Sequence, residues 1–240
     1  MIDIHAHILP SLDDGAETIE ESIELCKIAA NDGIKTIVAT PHSKDGVYEA
    51  KKDDILKKVK TLNLKLKELQ IDLEILPGSE IHINFGLMGS IKNGEVLTIN
   101  DGGKFILLEL PFMFIPPGTE KFIFDLKLLG IVSIISHAER ITMFQRNPKI
   151  VEQLVKSGAL VQVTAQSLLG NFGSRERKCV ERLLKHKMVH FIASDTHSLT
   201  GRPPILSKAV EKAAKIIGDK EARALVSDNP GQIINGLDIN

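Results

Sequence analysis

Cysteine, net charge and long apolar runs are what this sequence has least of. It contains two cysteines in 240 residues, Cys26 and Cys179, so it cannot form the disulfide framework of a small secreted domain. We interpret both as buried thiols in a reducing cytoplasm. The formal net charge is −1, and such a chain has no basic field to attract nucleic acid or an anionic membrane.

Segments that would direct or divide the chain are also missing. No stretch reaches the ~18 apolar residues of a membrane-spanning helix, and the opening Met1 to His7 lacks the basic flank and apolar region of a signal peptide. There is no internal repeat, low-complexity segment or Gly/Ser/Pro-rich linker. We therefore expect one cytoplasmic domain over residues 1–240, without membrane insertion and without a nucleic-acid partner.

Motifs for nucleophilic catalysis by a side chain are absent as well. A Cys-x5-Arg loop would need arginine six residues after a cysteine, but Asp32 follows Cys26 and Lys185 follows Cys179 at that spacing. A Gly-x-Ser-x-Gly elbow and a Walker loop are not found either. Hydrolytic chemistry in this chain would therefore depend on activated water.

Short apolar runs alternate with longer stretches of helical periodicity, which is typical of an α/β protein with a largely parallel sheet. The capping pair Thr18 and Glu21 and the stop Gly33 bound the first predicted helix. The strand count indicates either a barrel one strand short of eight or an open doubly wound sheet. The predicted strands are Met1–Ile4, Thr36–Ala39, Leu73–Leu76, Phe105–Leu110, Ile131–Ile135, Leu160–Thr164 and His190–Ala193.

Histidine and carboxylate side chains lie at or just after the ends of all but one of these strands. The set is His5, His7, His42, Glu80, Glu109, His137, Asp195 and His197. The carboxyl ends of parallel strands converge on one face in a barrel, so we expect these side chains to meet there. Imidazole suits Zn, Mn and Fe, and carboxylates can bridge two ions. So many ligands on one rim indicate a site for more than one metal ion, which could hold a phosphoryl group and activate water.

Each of these residues, taken alone, could have a structural role and not bind metal. A single His-x-His is a weak signal, and Asp195 with His197 could be a helix cap and a surface imidazole. Glu109 is more informative, because an unpaired carboxylate in an apolar strand is costly. The other histidines do not fit the pattern: His186 is expected near a helix C-terminus, His190 at the opposite end of its strand, and His82 in a loop.

The motifs His5-x-His7, Thr-Pro-His42, Glu80, His137 and Asp195-x-His197 resemble those of the PHP (polymerase and histidinol phosphatase) superfamily. The opening Asp-Ile-His-Ala-His-Ile-Leu-Pro-Ser-Leu-Asp-Asp-Gly and the later Gly-Arg-Pro-Pro are similar to bacterial manganese-dependent tyrosine-protein phosphatases of capsule and exopolysaccharide clusters. Asp14 stands where many PHP enzymes have histidine, which favours that branch.

The resemblance implies a distorted seven-stranded TIM-like (β/α)7 barrel with two or three divalent ions. One ion would bind His5, His7, Glu80 and Asp195, and a second Glu80, Glu109 and His137. A third would bind Asp14, His42 and His197. Arg140 and Arg202 would hold the substrate phosphate, and a hydroxide bridging two ions would attack it. The resemblance points to Mn²⁺, although the ligand set also accepts Fe, Zn, Co or Mg.

The same resemblance implies a substrate and a partner. We expect the enzyme to hydrolyse phosphotyrosine in the tail of a cognate bacterial tyrosine kinase that controls polysaccharide synthesis. The alternative is a small-molecule phosphatase of the histidinol-phosphate type. A PHP nuclease is disfavoured by the near-neutral charge, and a catalytically dead barrel would be expected to have lost ligands.

The loop after the fourth predicted strand carries Phe112, Phe114 and Ile115, followed by two prolines. In one interpretation these side chains fold back into the core. In the other, some are exposed beside the site, where they flank a tyrosyl ring or bury against another subunit in a homo-oligomer.

Overall fold

The computed structural model describes residues 1–43 and 46–239, and within them strands and helices alternate along the chain. The strands are β1 (Ile2–Ala6), β2 (Thr36–Ala39), β3 (His42–Ser43), β4 (Glu74–Pro77), β5 (Glu80–His82), β6 (Phe105–Glu109), β7 (Val132–Ile135), β8 (Leu160–Thr164) and β9 (Phe191–Ala193).

The helices cover the strands and connect them. They are α1 (Ile19–Asn31), α2 (Lys52–Glu68), α3 (Leu87–Lys92), α4 (Thr119–Leu128), α5 (Thr142–Arg146), α6 (Lys149–Lys156), α7 (Ala165–Leu169), α8 (Ser174–Lys185), α9 (Ser207–Ile217), α10 (Asp219–Ala224) and α11 (Asp228–Ile234), with 3₁₀ turns at Ile99–Asp101 and Ala138–Arg140. Across the described residues, no helix has the length and apolar character needed to span a bilayer.

Helix α1 shows how the local sequence sets the ends of an element. The Thr18 hydroxyl accepts a hydrogen bond from the Glu21 backbone N–H at 3.2 Å. The Glu21 carboxylate accepts one from the backbone N–H of Glu17 at 2.9 Å. The predicted capping pair therefore satisfies two amide donors, with Glu21 reaching one residue further back than in a standard capping box. Gly33 ends the helix with a φ of +87°.

Every strand pair in the described residues is parallel, which confirms the predicted α/β class. The ladders form two sheets, of order β1-β2-β4 and β3-β5-β6-β7-β8-β9. They differ from the expected single ring of seven strands. The second and third predicted strands correspond to β2 and β4, and each is followed after a short break by a further short strand that was not predicted, β3 or β5.

The two breaks have identifiable causes. Between β2 and β3, Pro41 has no N–H for a ladder bond, and Thr40 instead bonds to Ala6 through both its amide and its hydroxyl, at 2.9 and 3.0 Å. Between β4 and β5, Gly78 lies so close to β2 that a Cβ there would be 2.7 Å from Val38 Cγ1. The same two segments stay paired on both sides of the breaks, β2 with β4 and β3 with β5, and this pairing places His42 opposite Glu80.

The first strand lies beside the segment that follows the last one. The Asp195 amide donates to the His5 carbonyl at 2.9 Å, and the His7 amide donates to the Thr196 carbonyl at 2.9 Å. Ala6 and Thr196 form an isolated parallel bridge. These bonds bring the two ends of the strand series together without a regular ladder.

Side-chain alternation along the strands separates two apolar clusters. In β6, Ile106 and Leu108 belong to the large cluster that includes the helices, whereas Phe105 and Leu107 belong to a smaller cluster shared with Ile4 of β1. Because successive side chains of a strand point to opposite faces, Glu109 follows Phe105 and Leu107 onto the face of the smaller cluster.

An irregularity in β1 gives two histidines the same orientation. The register between β1 and β2 shifts between Asp3 and Ala6, and a bulge of this kind reverses the alternation of side chains beyond it. Ile4 packs in the smaller cluster and Ala6 in the larger one. His5 and His7 therefore both project over the smaller cluster, where Glu109 also lies.

The close packing at Gly78 can be tested by substitution. We expect Gly78→Ala to lower the free energy of unfolding by about 1–3 kcal/mol, because the new methyl group overpacks a position bounded by Val38 and the β2 backbone. Chemical denaturation followed by circular dichroism measures the change. Gly89→Ala is the control, since nothing lies within 4 Å of its added Cβ in α3. Equal stability of the two variants would contradict this account of the break.

Candidate metal centre

The residues predicted as ligands converge at the carboxyl ends of the strands. His5 ends up in β1, His42 in β3, Glu80 in β5 and Glu109 in β6, while the others lie in the loops that follow β1, β7 and β9. Most of the set is buried: His5, His7, Glu80, His137, Asp195 and His197 are each at most 8% exposed.

The deepest part of the cluster joins four side chains. His5 Nε2 lies 3.1 Å from His7 Nε2, 3.3 Å from Glu80 Oε2 and 3.4 Å from Asp195 Oδ1. His7 Nε2 lies 3.5 Å from the same Glu80 oxygen and 3.7 Å from Asp195 Oδ1. Two nitrogens and two oxygens thus surround one small volume.

The other carboxylate oxygen of Glu80 belongs to a second group. His137 Nε2 lies 3.0 Å from Glu80 Oε1 and 3.5 Å from Glu109 Oε1. His137 adopts a φ of +30°, and Asp195 a φ of +51°. Such left-handed backbone is uncommon for residues other than glycine, and strained positions of this kind cluster at functional sites.

A third group lies nearest the surface. Asp14 Oδ1 is 3.7 Å from His42 Nε2 and 3.4 Å from His197 Nε2. The other ring nitrogen of His42, Nδ1, is 3.3 Å from Glu80 Oε2 and 3.9 Å from Glu109 Oε2. The rings of His7 and His197 have centroids 3.9 Å apart. His42 and His7 therefore lie between neighbouring groups, and each could serve either.

The spacing of these atoms fits divalent ions. With metal–ligand distances of about 2.1 Å, neighbouring ligand atoms are about 3.0 Å apart in an octahedron and about 3.4 Å apart in a tetrahedron. Sets with ligand atoms all within 4.8 Å of one another are His5–His7–Glu80, His42–Glu80–Glu109 and His7–Asp14–His42–His197. Both Glu80 carboxylate oxygens are buried without a hydrogen-bond donor in the described residues, as expected of atoms that bind cations.

Opposite charges shift the protonation of the cluster. Burial lowers the pKa of His7, but Asp13 and Glu80 outweigh it and raise that pKa to about 10. Burial also lowers the pKa of His137, but Glu80 and Glu109 outweigh this effect and raise that pKa to about 10. Burial disfavours ionisation of Glu80, yet His5 and His137 hold its pKa well below the usual range. Cations are thus strongly favoured here, and bound metal ions would displace the histidine protons.

Two buried residues that we did not predict orient the histidines. Asp13 Oδ2 accepts from His7 Nδ1 at 2.6 Å and from the His42 amide at 2.9 Å. Gln162 Oε1 contacts His5 Nδ1 at 3.1 Å and accepts from the His137 amide at 2.8 Å. Each fixes the ring so that Nε2 faces the cluster. Asp13 was visible in the Asp-Asp pair beside Asp14, but no sequence signal marked Gln162.

The two predicted arginines meet on one carboxylate at the edge of the cluster. Arg140 Nη1 lies 3.2 Å from Asp195 Oδ2, and Arg202 Nη2 contacts the same oxygen. Both guanidinium groups also lie over the ring of Phe172, at 5.2 and 5.7 Å from its centroid. Phe172, in the loop between α7 and α8, is a further residue that the sequence did not single out.

The remaining predictions about individual residues have mixed outcomes. Phe112 and Phe114 are 38% and 54% exposed, so the core interpretation is wrong for both, whereas Ile115 does pack against the core. His190 accepts from the Val161 amide, away from the cluster, and His82 Nδ1 bonds to the Ile83 carbonyl. Burial raises the pKa of the two free thiols to about 12 for Cys26 and about 11 for Cys179.

Comparison with known proteins identifies relatives over the whole length of the chain. Residues 1–235 match the family described as capsular polysaccharide synthesis, CpsB/CapC. The tyrosine-protein phosphatase YwqE of Bacillus subtilis is 40% identical over 84% of this chain and 79% of that protein. The tyrosine-protein phosphatase CpsB of Streptococcus pneumoniae is 32% identical over 98% of each chain.

Solved structures give the same result. One from a study of YwqE and CpsB, described there as metal-dependent tyrosine phosphatases, superposes with a TM-score of 0.95 at 35% identity, covering 100% of this chain and 96% of that one. A histidinol phosphate phosphatase from Lactococcus lactis has a TM-score of 0.58 at 13% identity, covering 92% and 94%. The second likeness concerns the fold alone.

The bond from Asp13 to His7 leads to a test of metal binding. We expect Asp13→Asn to weaken binding of Mn²⁺ by about 10- to 100-fold, because the variant loses the charge that fixes the ring and raises the basicity of its metal-facing nitrogen. Isothermal titration calorimetry on metal-stripped protein measures this. The control is Asp219→Asn, an exposed carboxylate paired with Arg223. Unchanged affinity in Asp13→Asn would refute the orienting role.

Proposed function

The chain belongs to the CpsB/CapC family of capsular polysaccharide synthesis, and we propose that it is a metal-dependent phosphatase that removes phosphate from tyrosine side chains of proteins. The observation that carries the proposal is the buried His/Asp/Glu cluster with two arginines at its edge. Cations in such a cluster and the planar guanidinium groups beside it are complementary to a phosphate dianion.

We further propose the assignment of ligands given by the resemblance. One ion is bound by His5, His7, Glu80 and Asp195, whose facing atoms are 3.1–3.7 Å apart. The second takes Glu80, Glu109 and His137, and the third Asp14, His42 and His197. The shared position of Glu80 supports a bridging role, since its two oxygens face different groups. Mn²⁺ is the proposed ion. We also propose that residues 1–240 form one domain, with the distorted barrel of seven strands that the resemblance implies.

The ions would lower the pKa of bound water and neutralise charge on the phosphate. The residues of the chain orient the substrate. Arg140 and Arg202 contact Asp195 through single terminal nitrogens, so each keeps further N–H donors for phosphate oxygens. Arg202 Nε is buried and has no hydrogen-bond partner in the described residues, which favours a ligand-facing role.

Aromatic rings around the arginines support an aryl phosphate as substrate. The Phe112 ring lies 5.2 Å from His137 and 4.7 Å from the Arg140 guanidinium. Tyr48 stacks on His42 with centroids 5.9 Å apart, and Phe172 lies against both arginines. A phenolate with a pKa of ~10 leaves without a strong acid, so the cluster needs no dedicated proton donor, and His42 or His197 could supply a proton through water.

The partner we propose is the phosphotyrosine-bearing tail of a bacterial tyrosine kinase in the cytoplasm. The description of the family links it to capsular polysaccharide synthesis. A flexible kinase tail could reach a site at the rim of the strands. The exposed Phe112 and Phe114 would contact this tail or a second subunit.

One experiment decides between the candidate activities. Metal-stripped protein is reconstituted with Mn²⁺ and assayed on a phosphotyrosine peptide, histidinol phosphate and single-stranded DNA. We expect turnover of the peptide, inhibition by EDTA, and a loss of about 100-fold or more in Glu109→Ala. Glu152→Ala on α6 is the surface control, and Cys26→Ser should remain active. Faster turnover of histidinol phosphate, or activity that survives EDTA, would overturn the proposal.

The aromatic residues at the rim give a separate prediction. Phe112→Ala and Phe172→Ala should each raise KM for a phosphotyrosine peptide by about 3- to 10-fold, because a ring–ring contact contributes roughly 0.5–1.5 kcal/mol. The same peptide with phosphoserine in place of phosphotyrosine should be affected much less. Phe124→Ala, an exposed aromatic on α4, is the control. Equal losses on both peptides would show that the rings do not read the tyrosyl group.

A further inference from the structure

Helix α8 carries a repeated positive charge that its own stability does not explain. Arg175, Lys178 and Arg182 are spaced three and four residues apart, so they lie on one face of the helix. Like charges at this spacing destabilise an isolated helix. The net charge of the chain is −1, so these cations are a local concentration and not part of a generally basic surface.

The same face forms one wall of a cavity. It has a volume of about 410 Å³, and Arg146 of α5 adds a fourth cation opposite α8. Thr142 and Gln145 of α5 complete the polar lining, and none of the described lining residues is a carboxylate. Cys179 also lines the cavity, but burial raises its pKa to about 11, so the neutral thiol does not offset the charge.

The cations of the cavity have no acidic partners in the described residues. None of the four lies within 4.0 Å of a carboxylate, although Arg177 on another face of α8 pairs with Glu181. Arg182 is held in place, since its Nη2 donates to the Phe144 carbonyl at 3.1 Å and to the Gln145 carbonyl at 2.5 Å. Its Nε is buried without a hydrogen-bond partner among the described residues. Arg182 is thus held at the cavity by the α5 carbonyls, while Arg146, Arg175 and Lys178 are exposed to solvent. The Glu176 carboxylate bonds to Gln145 at 3.1 Å and not to any of the four cations.

One lining residue of the cavity, Thr142, lies beside the proposed catalytic site. Thr142 follows Arg140 by two residues, which places their Cα atoms at most about 7 Å apart. The Thr142 amide donates to the carbonyl of Phe112 at 2.7 Å. A peptide bound with its phosphotyrosine at Arg140 and its ring at Phe112 would bring residues one to three positions away to the cavity, because extended chain spans about 3.3 Å per residue.

We propose that this cavity binds a second anionic group, a carboxylate or a phosphate, on the same peptide as the phosphotyrosine that is hydrolysed. This inference rests on the proposed function. Arginine forks recognise both anions by paired hydrogen bonds, and complementary charge next to a catalytic site selects substrates and speeds their association. The site would therefore favour tyrosine segments that are acidic or phosphorylated more than once.

The test compares three phosphotyrosine peptides that differ only in the flanking residues: neutral, acidic, or with a second phosphotyrosine. They are assayed on Mn²⁺-reconstituted protein against para-nitrophenyl phosphate, which has no flank. We expect kcat/KM to be about fivefold or more higher for the two anionic peptides, with the preference shrinking as salt is added. Arg175→Gln/Lys178→Gln should remove the preference and leave para-nitrophenyl phosphate unchanged.

The matched control is Lys60→Gln/Lys67→Gln, which removes the same charge from exposed positions of α2. If that control abolishes the preference equally, overall charge and not the cavity is responsible, and the inference fails. It also fails if the three peptides are hydrolysed at equal rates. It fails too if the native protein and the α8 variant differ only in their response to free inorganic polyphosphate and show the same preference among the peptides. Absence of any phosphotyrosine turnover, with para-nitrophenyl phosphate also inert, would instead refute the proposed function.

Discussion

The buried carboxylate of Glu80 is the constraint on which the rest of this structure depends. It is 1% exposed, and four imidazole rings from different strands or strand ends, those of His5, His7, His42 and His137, lie within 3.0–3.5 Å of its oxygens. An isolated carboxylate at this depth would cost several kcal/mol. Its burial needs compensating positive charge, which protonated His7 and His137 or bound metal ions can supply.

Backbone irregularities produce this arrangement. The bulge in β1 gives His5 and His7 the same orientation. The pairing of β3 with β5 continues that of β2 with β4 beyond the breaks at Pro41 and Gly78, and it places His42 opposite Glu80. His137 and Asp195 adopt left-handed backbone. Without the bulge, His5 and His7 would point to the face opposite Glu109, and strained backbone persists only where surrounding structure enforces it.

The functional surface extends from this centre in layers of different chemistry. The buried layer consists of groups that bind cations, and the layer above it contains Arg140 and Arg202 with the rings of Phe112 and Phe172. Beyond Thr142 lies the cationic cavity of α5 and α8. A substrate of the kind we propose, spanning all three layers, would carry phosphate, an aromatic ring and a further negative charge, so its recognition would involve groups outside the proposed metal ligands.

The sequence alone determined the α/β class, the strands and the candidate ligands. These properties are local: alternation of apolar runs, a capping pair such as Thr18 and Glu21, and the chemical identity of the residue that ends each strand. Glu109 illustrates this, since a carboxylate at the end of an apolar strand has few structural roles.

Only the tertiary structure decided which groups complete the site. Gln162 is an ordinary strand residue in sequence, and Phe172 an ordinary loop residue, until the fold brings them to His5 and to the two arginines. The break between β4 and β5 involves the close approach of Gly78 to Val38, which is far away in the chain. Local sequence fixes the periodicity and chemistry of a side chain, but the partner of a buried polar group, or the neighbour that blocks a Cβ, is set by distances in space that no local pattern encodes.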